Sequence, residues 1–493
     1  MCTAATITVA ALSSAADVDI LPTPSYVNES AIKCPVPKSV AIVLAVPDEK
    51  NVPDSGTIAI IEPRARVTAV THCGEGLSSE SYRLEFDSCI AHIEAADYRG
   101  CIYALQSLSQ LLDADSVPLK MSIIDKPRCS WRAFMLDSGR QYQSVSTIKK
   151  YLRLMSMMKM NRFHWHLTEG LGWRVEIDAF PQLCLTGGYV ASGPEQQGYY
   201  SKTDISEIVN YAARLGIEIV PEIDIPGHSE AALYAYPHLG CRGEKPQIPE
   251  QGFTSDIFCA GSDSTVAALK IILDEVCSMF PGEYIHLGGD EAPKANWDKC
   301  SRCRRRIEEN NLTDTHDLQL WLSAEMALHL ASKGRKAIFW DDVLVHPGTV
   351  PLPGNTVVQW WNFRSRGFAP AVTACKHNIP LILSPNYYCY LNFPEEPWRG
   401  YDCDRTFDFR KAYQHNPADS VMNLVDQNVL GITAALWTDY GLTENMLDYR
   451  LMPRIFAIAE LMWHNGEKLP LEYLLKRSLS AQAHFSRKEN LTR

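Results

Sequence analysis

Eight short apolar runs recur between residues 131 and 437, each followed by polar or aromatic side chains, and most separated from the next by a segment of helical periodicity. The predicted strands are 131–137, 162–167, 217–223, 284–288, 337–340, 356–360, 380–384 and 432–437, and the intervening segments include predicted helices over 146–160, 205–215 and 265–279. Strands that alternate with helices pair in parallel and are buried on both faces. Eight such units point to an α/β fold, a (β/α)8 TIM barrel.

The 493-residue chain is long enough for a barrel and a second domain. Ahead of Asp125-Lys126-Pro127-Arg128, β-branched runs such as 39–44 and 57–61 alternate with turns and end in a helix-like segment, 100–112. The expected division is a small α+β support domain over 1–125, without a catalytic constellation, and the catalytic barrel over 126–493.

The chemistry gathers where the predicted strands end, the rim where barrels place their active sites. Asp137 and Arg140 follow the first strand, His164 and His166 close the second, and Glu222, Asp224 and His228 follow the third. Asp290-Glu291 end the fourth, Trp340-Asp341-Asp342 the fifth, Trp360-Trp361 the sixth, Tyr387 to Asn392 the seventh, and Trp437-Thr438-Asp439 the eighth. On a regular strand Asp290 and Glu291 would face opposite ways; Gly288-Gly289 relaxes the backbone so that both can enter one cavity. Two acids in one pocket are driven to different pKa values, so that one donates a proton while the other stays charged, as glycoside cleavage requires. Tryptophans such as Trp340, Trp361 and Trp437 offer faces for a pyranose ring.

A net charge of −11 and the lack of a Lys/Arg run argue against nucleic acid or an anionic membrane as a main partner. Arg302, Arg304, Arg305 and Arg306, followed by Glu308-Glu309, read as a solvated helix face. No window is a membrane span. The apolar start, 2–16, lacks the charged n-region of a signal peptide, since the first basic residue is Lys33. Fifteen cysteines, spread through predicted strands and helices, suggest buried, reduced thiols. Cys300-x-x-Cys303 has zinc-like spacing but no second pair in the sequence to complete four ligands, so neither metal nor cofactor is expected.

The segments His286-Leu287-Gly288-Gly289-Asp290-Glu291, Asn161-Arg162-Phe163-His164-Trp165-His166-Leu167-Thr168, Gly172-Trp173-Arg174, Pro221-Glu222-Ile223-Asp224-Ile225-Pro226-Gly227-His228 and Ala435-Leu436-Trp437 together resemble the motif series of family 20 glycoside hydrolases, the β-N-acetylhexosaminidases. The resemblance implies exo-acting, retaining hydrolysis of terminal β-linked GlcNAc or GalNAc from an oligosaccharide or glycoconjugate, with the substrate's acetamido group as nucleophile. It makes Glu291 the general acid and base, Asp290 the group that orients the acetamide, Tyr390 its hydrogen-bond donor, and Trp340, Trp361 and Trp437 the enclosing walls. Arg140 matches the arginine that holds the outer hydroxyls, and His166, Glu169 and His228 are expected among the substrate-binding residues. A periplasmic or secreted location is what the family implies.

The chain also departs from the pattern. Glu169-Gly170 stands where relatives usually read Asp-Asp, which puts the acid link to His228 in question. Asn392 replaces a common Asp, and Asp439 stands where Glu is common; one lost negative charge there points to tolerance of 6-O-sulfated GlcNAc or altered 4-OH stereochemistry. Release of lacto-N-biose and a carbohydrate-binding protein without catalysis stay open as alternatives. A metal-dependent hydrolase built on the HxH of His164 and His166 would need further His, Asp or carboxylated Lys ligands, whereas the later strand ends offer mainly Trp, Tyr and Asn, and no family 18 DxxDxDxE run is present.

Overall fold

The computed structural model describes residues 19–491 except 73–75, 250–253, 346–349, 396–405, 425–427 and 440–441; the apolar start at 2–16 lies outside the described residues. The chain divides into two compact units between Lys126 and Pro127.

The first unit is a six-stranded mixed sheet in the spatial order Tyr26–Glu29, Lys120–Asp125, Tyr82–Asp87, Ile90–Ala95, Val40–Val46 and Ala65–His72. Strict alternation along Val40–Val46 and Tyr82–Asp87 puts every second side chain inside. The helix Tyr98–Leu112 starts where the Asp97 carboxylate accepts from the Gly100 amide, and packs against the sheet. Inside, the Tyr82 hydroxyl donates to Asp125 Oδ2 at 2.8 Å.

The second unit is a closed parallel barrel of β1 (Trp131–Asp137), β2 (Arg162–His166), β3 (Glu218–Glu222), β4 (Tyr284–His286), β5 (Lys336–Trp340), β6 (Thr356–Trp360), β7 (Leu381–Leu383) and β8 (Val429–Leu436). It closes by pairing Gly431–Leu436 with Trp131–Leu136. The (β/α)8 barrel after a small α+β unit is thus the fold expected from the alternation, with strand ends displaced by three residues at most. Helices α1 (Val145–Met157), α2 (Lys202–Arg214), α3 (Asp263–Met279), α4 (Thr315–Ser332), α5 (Ala369–Lys376) and α6 (Arg454–Trp463) lie between strands or after the last. Ser144, Ser201, Ser262 and Asp314 cap the first four through their side chains. Between β5 and β6 the described residues form only the 3-10 turn Asp341–Leu344, not an α-helix.

Inward-facing positions change character halfway up the barrel. Trp131, Ala133, Val220, Tyr284, Ile338, Val357 and Ile382 form an apolar plug. Two residues further along the same strands stand Glu222, His286, Trp340, Gln359 and Ser384, all buried. The apolar half holds the barrel shut; the polar half lies beneath the rim.

Two buried arginines brace the loops above this layer. Arg174 donates to the carbonyls of Ser138, Gly139, Gly188, Gln196 and Gly198 at 2.6–2.9 Å, fixing the turn that presents Arg140. Burial pulls its pKa to about 10, which leaves it cationic at neutral pH. Arg454 does the same after β7, donating to Leu391 O at 2.9 Å and to Phe393 O and Phe407 O at 2.6 Å. Arg174→Met would strand several buried carbonyls, and the expected loss is about 3 kcal/mol or more of unfolding free energy. Denaturant titration measures it; a loss below about 1 kcal/mol would show that the loops hold themselves.

Candidate active site

The turn after β4 is held from every side. The Gly288 amide donates to His286 Nδ1 at 3.0 Å, the Gly289 amide to Asp224 Oδ1 at 3.0 Å, and Gln319 Nε2 of α4 to Gly289 O at 2.7 Å. Gly288, Gly289 and Glu291 have φ of +61°, +94° and +47°. A Cβ on Gly288 would lie 2.0 Å from Asp224 Oδ1, so this position requires glycine twice over. The turn delivers Asp290 and Glu291 into one cavity of about 330 Å³, whose walls include Arg140, Trp361, Tyr387, Tyr390, Asn392, Trp437 and Asp439. That volume is at the small end of ligand pockets and suits a single sugar ring.

Under this cavity runs a row of buried groups of alternating charge. Asp137 Oδ2 accepts from Arg140 Nη1 at 2.9 Å, and Arg140 Nη2 pairs with Glu169 Oε1. Glu169 Oε1 lies 3.0 Å from His228 Nδ1, and His228 Nε2 lies 3.6 Å from Asp290 Oδ2 and 3.8 Å from Glu291 Oε2. Burial opposes each charge, but the neighbours outweigh it. Arg140 and His228 hold Glu169 well below the ordinary carboxylate range, while Glu169 and Asp290 hold His228 well above the usual imidazole value. The acid link to His228, questioned on sequence because Glu169-Gly170 replaces Asp-Asp, is therefore made, and Glu169 makes it. Glu291 is different, with its side chain half exposed. Burial first, and the charge of Asp290 second, raise its pKa, so its carboxyl keeps a proton to higher pH than an ordinary glutamate.

His166 and Trp340 lie behind the cavity and do not line it. Glu222 accepts from His166 Nδ1 at 2.6 Å, His164 Nε2 at 2.8 Å and Trp340 Nε1 at 2.8 Å. Trp340 is 1% exposed and packs against Trp437 at 5.8 Å between centroids. His164 and His166 thus converge on one carboxylate. Burial, then His286, pull His164 down to about 4, leaving it neutral.

The open wall is aromatic. Trp361 and Tyr390 are parallel within 11° at 6.5 Å, and Tyr390 meets Trp437 at 6.0 Å. The guanidinium of Arg140 lies 5.2 Å from the Trp437 ring centre. At the far edge Asn392 Nδ2 donates to Asp439 Oδ1 at 3.2 Å. Asp341 and Asp342, on the rim in the sequence but given no role there, hold Trp361. Asp342 Oδ2 accepts from Trp361 Nε1 at 2.8 Å and Asp341 Oδ1 from the Trp361 amide at 2.8 Å, which sets the indole's angle. Burial and the Asp342 charge push Asp341 up to about 7. The acidic pair after β5 was the available signal. Arg364, also on the cavity wall, follows no motif and gave none.

Known proteins resemble this chain along most of its length. Residues 129–466 match the sequence profile of glycosyl hydrolase family 20, catalytic domain, and residues 18–126 that of glycosyl hydrolase family 20, domain 2. A β-hexosaminidase of Porphyromonas gingivalis is 37% identical over 412 residues, covering 78% of this chain and 51% of that protein. One of Akkermansia muciniphila is 31% identical over 402 residues, covering 78% and 80%. The chain therefore spans about half the length of the first relative and four-fifths of the second. Among solved structures, a β-N-acetylhexosaminidase from Bacteroides fragilis superposes with a TM-score of 0.85 at 47% identity, over 95% of this chain and 96% of that one. A family 20 exo-β-N-acetylglucosaminidase from Vibrio harveyi, in complex with N-acetylglucosamine, gives 0.82 at 25% identity, over 98% and 79%. With both units matched, this chain belongs to glycosyl hydrolase family 20.

Proposed function

We propose that the chain is an exo-acting, retaining β-N-acetylhexosaminidase that removes one terminal β-linked GlcNAc or GalNAc by substrate-assisted catalysis. The observation that carries this reading is the half-exposed Glu291, raised in pKa, beside Asp290 in a cavity the size of one sugar. Glu291 protonates the glycosidic oxygen. Asp290, backed by His228, orients the 2-acetamido N–H and balances the positive charge that grows as the acetamido oxygen attacks C1. The Tyr390 hydroxyl donates to that oxygen, and burial followed by the Asp290 charge keeps its proton in place. The bond from C1 to the aglycone breaks, an oxazolinium forms, and Glu291, now a base, draws a proton from the water that opens it. Trp361 and Trp437 enclose the ring, Trp340 supports Trp437 from below, and Arg140, Asn392 and Asp439 take the outer hydroxyls. The names of the B. fragilis and V. harveyi structures agree with this substrate class.

Glu291→Gln is expected to lower kcat on an N-acetylglucosamine disaccharide by about 10²- to 10⁴-fold, and less on the 4-nitrophenyl glycoside, whose leaving group needs less help. 4-Nitrophenyl β-glucoside, lacking the acetamide, should not turn over; turnover at a comparable rate would remove the substrate-assisted step. The acid must be protonated, so kcat/KM should fall on the alkaline side as pH rises through the raised pKa of Glu291. Asp290→Asn, which deletes one cause of that rise, should move the alkaline limb to lower pH.

Asn392 carries a finer proposal, tolerance of 6-O-sulfated GlcNAc. A neutral amide stands there beside Asp439, and Arg364 lines the same cavity. Asn392→Asp should reduce kcat/KM for the 6-sulfated glycoside relative to the plain one by about fivefold to tenfold. An unchanged ratio would refute it.

A further inference from the structure

Cys300 and Cys303 do not stand alone, as their spacing in the sequence suggested. The loop between β3 and α3 brings Cys241 and Cys259 to them, and the four sulfurs all lie within 4.8 Å of one another. Cys241 Sγ and Cys303 Sγ are 3.8 Å apart, Cys259 and Cys303 3.8 Å, and Cys259 and Cys300 3.9 Å. These spacings are well beyond the roughly 2.05 Å of a disulfide. Four thiolates at about 2.3 Å from one zinc ion sit on a tetrahedron whose edge is about 3.8 Å. Three of the six sulfur pairs have the spacing that a single tetrahedral ion imposes, and the other three lie within 4.8 Å.

The surroundings form an enclosed, rigid seat. Cys259 and Cys303 are fully buried, Cys241 and Cys300 partly so. Cys300 precedes the short helix Ser301–Glu309 and Cys303 lies in its first turn, so the pair forms one knuckle. A Cβ on Gly261 would come 2.3 Å from the backbone of Arg302 and Cys303, so the two loops touch without a side chain between them. Arg302 Nη2 donates to Gly240 O at 3.1 Å and Cys241 O at 3.2 Å, placing a cation beside a centre that would carry net negative charge.

We propose that Cys241, Cys259, Cys300 and Cys303 bind one structural zinc ion. Binding replaces four S–H bonds by four Zn–S bonds and releases the protons to solvent, with no change of oxidation state. The centre is closed, with four protein ligands and no open position, so it is structural and not catalytic. It clamps the loop carrying His228 to the loop that follows Asp290-Glu291, and Trp297 Nε1, donating to Phe258 O at 2.9 Å, seals the same junction.

The test is metal content, which does not depend on the activity proposed above. Full-length protein purified with reductant should contain about one zinc per chain by elemental mass spectrometry. Protein stripped of metal and titrated anaerobically with Co²⁺ should show, at one equivalent, the visible ligand-field and thiolate charge-transfer bands of tetrahedral cobalt, and zinc should bleach them. Cys259→Ser and Cys303→Ser should each lose both signals, and stripped wild type should unfold at a lower Tm that zinc restores. Wild-type protein that retains no zinc and gives no cobalt bands, whether its four thiols titrate freely or peptide mapping finds two disulfides, would overturn the proposal. Since the decisive measurements use the wild type, a variant that fails to fold does not shelter the idea.

Discussion

The site depends on keeping charge buried, and that is possible only because the charges alternate. From Asp137 through Arg140, Glu169 and His228 to Asp290, each group has opposite neighbours within about one contact distance. A lone buried ion costs several kcal/mol, so removing any member leaves its neighbours more expensive than before. The signs also set a pH window. Glu169, depressed in the fold, contributes stability above the ordinary glutamate pKa that is lost as pH falls toward its lowered value. His228, raised in the fold, contributes stability below the ordinary imidazole pKa that is lost as pH rises through its raised value. Both contributions are complete between about pH 4.3 and 6.5. The row ends at Asp290, whose charge is one of the causes that keep a proton on Glu291.

Geometry is enforced by backbone contacts more than by side-chain packing. Gly288 yields its side-chain volume to Asp224, and Asp224 in turn accepts from Gly289. Burial and the Asp290 charge push Asp224 well above the usual carboxylate range, so it keeps a proton to higher pH than an ordinary aspartate. Arg174 and Arg454 then fix the loops after β1 and β7 mainly through carbonyls. Cations tied to backbone carbonyls tolerate changes in neighbouring side chains, which suits loops that carry the specificity of a barrel.

Much of this was legible in the sequence for physical reasons. Apolar runs buried on both faces mark barrel strands, and Gly-Gly before Asp290-Glu291 marks a chain leaving one. What failed to show was whatever depends on two loops meeting. Cys300-x-x-Cys303 looked incomplete because Cys241 and Cys259 come from a different loop, whose path no periodicity encodes. Trp340 read as a sugar-facing wall because it ends a strand, yet its indole N–H is committed to Glu222 and its face to Trp437. Arg364, which no motif singles out, is placed on the cavity wall by the turn after β6.

Glu169 is the instructive case, because position-by-position comparison points the wrong way. A glutamate is one methylene longer than an aspartate, so at an unchanged backbone its carboxylate would overshoot His228. The chain accommodates the length at Gly139, where a Cβ would fall 2.8 Å from Glu169 Cβ and 2.9 Å from its Cγ. Glycine there lets the Glu169 stem lie against the backbone of the loop after β1. The carboxylate then reaches Arg140 and His228 together, while its other oxygen accepts from the Gly170 amide at 2.8 Å. The function of a position in such a network is the place of its charge, and a change in side-chain length preserves that place when the surface it lies on has room.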